Sequence, residues 1–568
     1  MTKNILNVRL LTILFMLGII LVLVSCQPLP GRKTKSKDNV ILFGIDGGEW
    51  HIMHPLLKMG RLPVMERLIG SGSYGRLFSP TQQSPSEWTS IATGKHSHKH
   101  GILGFGRVEA KGIMSDRSKR PRFTFIARKS RKSKTFWNIL SEHNRTVGII
   151  GWWATWPAES VNGTLVCDTF NYRSYLEYTV YPPQFLATAQ GLEQSAHHHA
   201  RVWLSRNLAE FRQRTPAQMK SDLRYLTGQV DKFSDHLSYD YAKKEMAHHL
   251  ISQNAPDLLA LYLRSSDLSS HFFFKDSFIK DEQKNWSVTL SDRLHFGGIV
   301  VGIYQLYDRF LSDIISLYPE QPALIVVSDH GFGSTVCFKR FEAKKFLSKS
   351  GLMIDDETVS ELFRVKRIDK VVWQLFPKSS KTHSTAQAKQ VLLQKLEQAF
   401  RQLVTPDGRP LFTRLSLIGA ANSTPETENY LEIEPNPDIL LTDVINTPSQ
   451  QIPAYKFFRY NRWSGSHRPY GIVIFNGSPF KKQHLIQSDI TTWDICPTIL
   501  SMFQLPRAQD MDGEIIEEIF QDTYRADHPL QPEVKTYEAA SQTEDIPDID
   551  PKVKEKILQE LKTIGYIS

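Results

Sequence analysis

"PALIVVSDHG", residues 322–331, is a run of apolar residues closed by an acid, an imidazole and a glycine. A continuous apolar run of this length, bounded by turn residues, reads as a strand buried on both faces rather than one half open to water. Working outward, "NVILFGID" (39–46), "TVGIIGWW" (146–153) and "PDLLALYLRSSD" (256–267) have the same character. An amphipathic stretch over about 290–318, including "VGIYQLYDRFLSDIISLY", predicts a helix between the last two strands. Buried strands alternating with helical patterns predict an α/β domain whose central sheet is largely parallel and flanked by helices.

Three of these runs end in acid: Asp46, Asp267 and Asp329, the last followed at once by His330. In open α/β sheets ligands bind beyond the carboxyl ends of the strands, so the three carboxylates should meet at one edge. A single Asp there commonly caps the next helix or turn; three from separate runs ask for another explanation. His271 follows Asp267 by four residues in "DLSSH", and His467 sits in "GSHRPYG" just before the apolar run "GIVIFNG". Either histidine alone would read as a surface or hydrogen-bonded core residue. Imidazoles and carboxylates together suit zinc or manganese.

Composition sets the outer limits. The 568 residues are 41% hydrophobic and 23% charged, enough for a large core with sizeable insertions. The net charge of +10 suits an anionic ligand or a negatively charged membrane surface. No nucleic-acid motif accompanies it, so duplex binding is not expected. Of the four cysteines, Cys167, Cys337 and Cys496 lie far apart with no C-x-x-C spacing, so neither a zinc ribbon nor a disulfide framework is indicated, and their odd count makes at least one a buried thiol. Lys3 and Arg9 precede the apolar run 10–24, short for a membrane span but suited to a signal-peptide core. It ends in Leu23-Val24-Ser25-Cys26, which resembles a bacterial lipobox. That resemblance implies a signal peptide over 1–25, lipidation of Cys26 and a basic tether over 26–38. With Gln27 next, it implies anchoring in the cell envelope, at the outer membrane facing the periplasm. The alternative is an uncleaved signal anchor.

The set "FGIDGGEW", "SPSEWTSIATG…HGI", "DLSSH", "VVSDHGF" and "GSHRPYG" resembles, in order and spacing, the alkaline phosphatase superfamily. Within it the set is similar to the type I phosphodiesterase/nucleotide pyrophosphatase-like branch of phosphohydrolases and phosphomutases. The resemblance covers about 39–172, 256–335 and 460–520. It implies an alkaline phosphatase-like catalytic domain over 39–520, with insertions at about 105–140, 173–255 and 350–455 and a tail over 521–568 that ends in a helix. It also implies two divalent metal ions, zinc with manganese as the other choice. Asp267, His271 and His467 would bind one; Asp46, Asp329 and His330 would bind the other together with the nucleophile. In the family the nucleophilic Ser or Thr lies ten residues before the Gly of "TG", the place of Ser84 relative to Gly94.

The implied reaction is attack of Ser84 on a phosphate ester. No Arg stands among residues 82–88, so a diester or pyrophosphate is preferred over a monoester. The alternatives are a phosphomutase or phosphomonoesterase on the same site, or a non-catalytic envelope lipoprotein. A sulfatase would need its nucleophile in a C/S-x-P-x-R context, whereas Pro85 follows Ser84 directly and Trp88 stands in the place of Arg. His100-Gly101 matches the family's "HG", and the loop carrying His96 and His98 reads as structural. Leaving-group selection is expected from the insertions, where Trp203, Tyr225 and Trp373 are candidates to clasp it. The histidine run 197–199 reads as exposed. The sequence leaves the oligomeric state open.

Overall fold

The computed structural model describes residues 39–109, 122–125, 127–170, 178–207, 216–274, 290–334, 339–367, 372–378, 384–418, 429–436, 439, 443–460 and 465–538. Cys26, the 1–25 leader, the 26–38 tether, Cys337 and the terminal helix expected near 550–568 lie outside them.

The central sheet has ten strands: β1 Val40–Ile45, β2 Gly72–Phe78, β3 Val147–Trp152, β4 Gly163–Cys167, β5 Val180–Tyr181, β6 Leu258–Leu263, β7 Ala323–Val327, β8 Tyr470–Asn476, β9 His484–Leu485 and β10 Ile490–Thr491. The spatial order is β9-β2-β8-β7-β1-β6-β3-β4-β5, with β10 beside β2. The inner strands β7-β1-β6-β3-β4 are all parallel. The apolar run β8 joins the other way, antiparallel to both β7 and β2.

Every residue of β1, β3, β6 and β7 is buried, as continuous apolar runs demand of a sheet covered on both faces. One covering layer includes the Leu290–Ile315 helix and the hairpin of Leu186–Asn207 and Pro216–Asn254; the other includes Ser84–Thr93, Phe136–Glu142 and Ile495–Met502. The last part of the 105–140 stretch is therefore core: Phe136 and Trp137 are fully buried beneath the sheet.

Residues between Phe341 and Phe458 build a separate apolar cluster around Phe346, Leu393 and Phe400. It holds a four-stranded antiparallel sheet in the order Phe363–Arg367, Trp373–Pro377, Tyr430–Pro435, Phe412–Ile418, with Ala386–Arg401 packed on it. Trp373 belongs to this cluster and Trp203 to the main core, so both act in packing. The side chain of Tyr225 lies outside the described residues. Cys167 and Cys496 are buried free thiols. Among the described residues no helix is long and apolar enough to cross a membrane.

Candidate active site

Asp46 leaves the end of β1, and its N–H bonds Leu263 O of β6 at 2.9 Å, so the two strands finish level. Asp329 and His330 follow β7 with only Ser328 between. Asp267 is not at a strand end, as the sequence reading had it; it lies in the first turn of the helix Ser265–Phe273 that follows β6. There the four-residue spacing sets Asp267 and His271 on one helix face. His467 arrives from further along the chain, in a short antiparallel ribbon where Gly465–Arg468 pairs with Gly331–Ser334 and His467 stands opposite Phe332. Gly465 has to be glycine: a Cβ there would lie 2.2 Å from the Phe332 ring and 2.6 Å from Ser270 O.

Ser84 is the first residue of the helix Ser84–Thr93, with Pro85 in the opening turn and Gly94 in the left-handed conformation ending it. All ten residues of this helix are buried. Trp88 seats it against β1 at Gly44, where any Cβ would meet the indole at 2.7 Å. Buried Glu87 fixes the preceding loop, accepting from Thr81 N at 2.8 Å, Thr81 Oγ1 at 2.5 Å and Thr492 Oγ1 at 2.6 Å.

Seven candidate residues converge in two adjoining groups. In one, Asp267 Oδ1 lies 3.2 Å from His271 Nε2 and 3.1 Å from His467 Nε2, and the two imidazole nitrogens are 3.0 Å apart. In the other, His330 Nε2 lies 3.4 Å from Asp46 Oδ1, 3.3 Å from Asp329 Oδ2 and 3.3 Å from Ser84 Oγ. The Ser84 hydroxyl is 3.4 Å from Asp46 Oδ1. The His330 and His467 rings stack at 3.6 Å and join the groups.

The protonation pattern follows from the outer contacts. Each histidine turns Nδ1 to a backbone carbonyl, which can only accept: His271 to Gly465 O at 3.2 Å, His330 to Gly331 O at 3.1 Å and His467 to Gln82 O at 2.7 Å. Gln82 adopts a left-handed backbone, φ 53°, while presenting that carbonyl. The protons therefore sit on Nδ1, and in the neutral rings the Nε2 lone pairs face one another and the carboxylates. Asp329 Oδ2 is buried with no hydrogen-bond donor among the described residues.

Burial and the charges of Asp329 and Asp267 push Asp46 well above the usual carboxylate range, and burial with the Asp267 charge does the same to Asp329. Burial also raises Asp267, but His271 and His467 when protonated outweigh it and hold that carboxyl well below its usual range, and Asp267 in turn raises His467 despite its burial. Burial drives His330 well below the ordinary imidazole value. Converging lone pairs and crowded buried carboxylates are what a divalent cation relieves, so each group fits one. Oxygen and imidazole donors without thiolate suit zinc or manganese.

Other residues near the site carried no local sequence signal. Tyr262 of β6 donates its hydroxyl to Asp46 Oδ2 at 2.5 Å. Asp240, buried on Pro216–Asn254, accepts from Arg264 N at 3.1 Å, Ser265 N at 2.7 Å and Tyr307 Oη at 2.6 Å. It thereby caps the helix that carries Asp267 and His271. From the same helix Lys243 lies 4.8 Å over the Tyr262 ring. Arg264 stacks over Trp153 at 5.4 Å, and its charge is felt at Asp46. Of the three histidines at 96–100, His100 is buried and bonds Ser90 Oγ at 3.1 Å, His96 lies against Trp493 at 3.9 Å, and His98 beside it is exposed.

A family model described as type I phosphodiesterase / nucleotide pyrophosphatase matches residues 40–416. His467 falls beyond that match, and the ribbon brings it back to the site. No curated protein matches the chain. Among solved structures the chain is similar to human ectonucleotide pyrophosphatase / phosphodiesterase 5 (ENPP5, NPP5), at 12% identity, covering 85% of this chain and 100% of that one, with a TM-score of 0.39.

Proposed function

This chain belongs to the type I phosphodiesterase / nucleotide pyrophosphatase family and is a phosphoric ester hydrolase, and from that premise we propose that Ser84 is its nucleophile, set beside two divalent-metal sites. The observation that carries the proposal is the position of Ser84 Oγ, 3.3 Å from His330 Nε2 and 3.4 Å from Asp46 Oδ1, inside one of the two ligand groups. Asp267, His271 and His467 would hold one ion; Asp46, Asp329 and His330, with Ser84, the other. Such ions, when bound, supply positive charge that acidifies a hydroxyl and offsets the charge of phosphoryl oxygens.

Ser84 Oγ forms the bond to phosphorus as the bond to the leaving ester oxygen breaks, and the hydroxyl proton passes toward Asp46 Oδ1. Water then cleaves the phosphoserine and releases the second product. The helix that begins at Ser84 directs its positive end to this place, which favours an anionic ligand. Tyr262 holds Asp46, and the three backbone carbonyls hold the histidines, so the polar groups stand ready before substrate enters.

The preferred substrate is a phosphodiester or pyrophosphate, in keeping with the family. Arg264 favours a second reading, monoester hydrolysis at the same site. No Arg stands near Ser84 along the chain, but the fold brings the Arg264 charge within reach of Asp46, where it would suit a dianionic phosphoryl group. We further propose an envelope location, with lipid attached at Cys26; Leu23-Val24-Ser25-Cys26 supports it.

A paired assay with bis-p-nitrophenyl phosphate and p-nitrophenyl phosphate, with Ser84→Ala as the background control, separates the substrate readings. The diester should have the higher kcat/KM. A monoester value at least about tenfold higher would overturn the diester preference.

A further inference from the structure

A second concavity lies where the helices Leu186–Asn207, Pro216–Asn254 and Leu290–Ile315 meet, with a volume of about 690 Å³. That is within the size range of small-molecule sites. It shares no lining residue with the groups around Ser84. On the first helix His199, Trp203 and Arg206 recur at helical spacing along one face, and on the third Gly302, Gln305 and Arg309 do the same. Tyr241 closes the side between them.

Its chemistry is one-sided. Among the described residues no carboxylate lines it, and neither Arg206 nor Arg309 forms a hydrogen bond or ion pair. Both guanidinium charges are felt at the Tyr241 hydroxyl, whose pKa burial raises and the two arginines pull back. Trp203, only 5% exposed, lies in the wall. Gly302 leaves that indole in place, since a Cβ there would press on it at 2.8 Å.

We propose that this three-helix cleft is a binding site for a small phosphorylated anion, separate from the site of hydrolysis. Two arginine forks match the oxygen array of a phosphate or diphosphate. The cleft exceeds that group in size, and the partly exposed Tyr241 ring offers a surface to an adjoining planar or apolar part, with Trp203 as packed backing to the wall. A free phosphorylated metabolite and a lipid headgroup share this chemistry.

The test is calorimetric titration of the full-length chain in detergent with methylenediphosphonate, which hydrolysis cannot consume. The parent should show a binding event that Ser84→Ala retains and Arg206→Ala/Arg309→Ala weakens at least about tenfold, the scale expected on losing charge-assisted bonds. Arg206→Glu/Arg309→Glu should weaken it further, and all variants should melt with the parent because both arginines are exposed. A parallel titration with dihexanoylphosphatidic acid identifies the source. Arginine-dependent binding of the lipid alone assigns a headgroup, and of the diphosphonate alone a free anion; either supports the site. Isotherms that do not change in the double variants, or the absence of any such event with both probes, would overturn it.

Discussion

Ser84 is the residue on which the proposed chemistry turns, and its neighbours make a sharp test. Removing only Oγ leaves the three aspartate and three histidine ligands in place, so Ser84→Ala should keep its melting temperature and much of its metal while turnover falls by about 10³-fold or more. Ser84→Thr should retain measurable hydrolysis of bis-p-nitrophenyl phosphate. Asp46, Asp329, His330 and the Asp267/His271 pair were legible in sequence because each lies in, or directly after, a buried apolar run. Tyr262 was hidden inside such a run, where it reads as one more strand residue. His100 makes a second prediction. Burial, aided by the Arg131 charge, pushes its pKa down to about 3, whereas an unfolded imidazole takes a proton near 6.5. The folded state therefore binds fewer protons, and the stability it contributes is complete above about pH 6.5 and is lost as pH falls toward 3. His100→Gln removes that linkage. In denaturant titrations the parent's advantage over the variant should shrink by about 2 kcal/mol between pH 7 and pH 5; an unchanged advantage would contradict the buried, neutral assignment.

At the scale of elements, the helical hairpin of the 173–255 insertion supports the site rather than merely bordering it. Asp240 takes up the first amides of the Ser265–Phe273 helix, so the insertion fixes the angle at which Asp267 and His271 are presented. Asp240→Asn should lower stability by about 2–3 kcal/mol, because an amide cannot accept at both oxygens from a buried set of donors. It should also weaken zinc retention at the Asp267/His271/His467 group. Calorimetry and metal titration of the same preparation check both; full zinc affinity in a destabilised variant would confine Asp240 to folding. The four buried strands and the 290–315 helix were legible because their periodicity is local. The Asp240 clamp was not, since its partners lie 24 and 25 residues away on the next strand–helix turn and no spacing marks them. The antiparallel course of β8 was equally invisible, because a buried strand shows the same apolar run in either direction.

For the whole molecule, one sheet edge gathers groups that span the chain from Asp46 to His467, over a hundred residues apart at two joins, Ser84 to Asp267 and His330 to His467. The described residues contain all seven candidate site residues, and the proposed leader would bear on where the enzyme works. Cys26→Ser should abolish incorporation of a fatty-acid probe; equal labelling of parent and variant would contradict the lipobox reading. The central claim, that hydrolysis depends on metal held by these two groups, is tested most directly by elemental analysis of the purified full-length chain alongside its activity. The account predicts about two zinc or manganese ions per chain, with hydrolysis lost on chelation and restored on adding metal back. A metal-free chain with full hydrolase activity would contradict it.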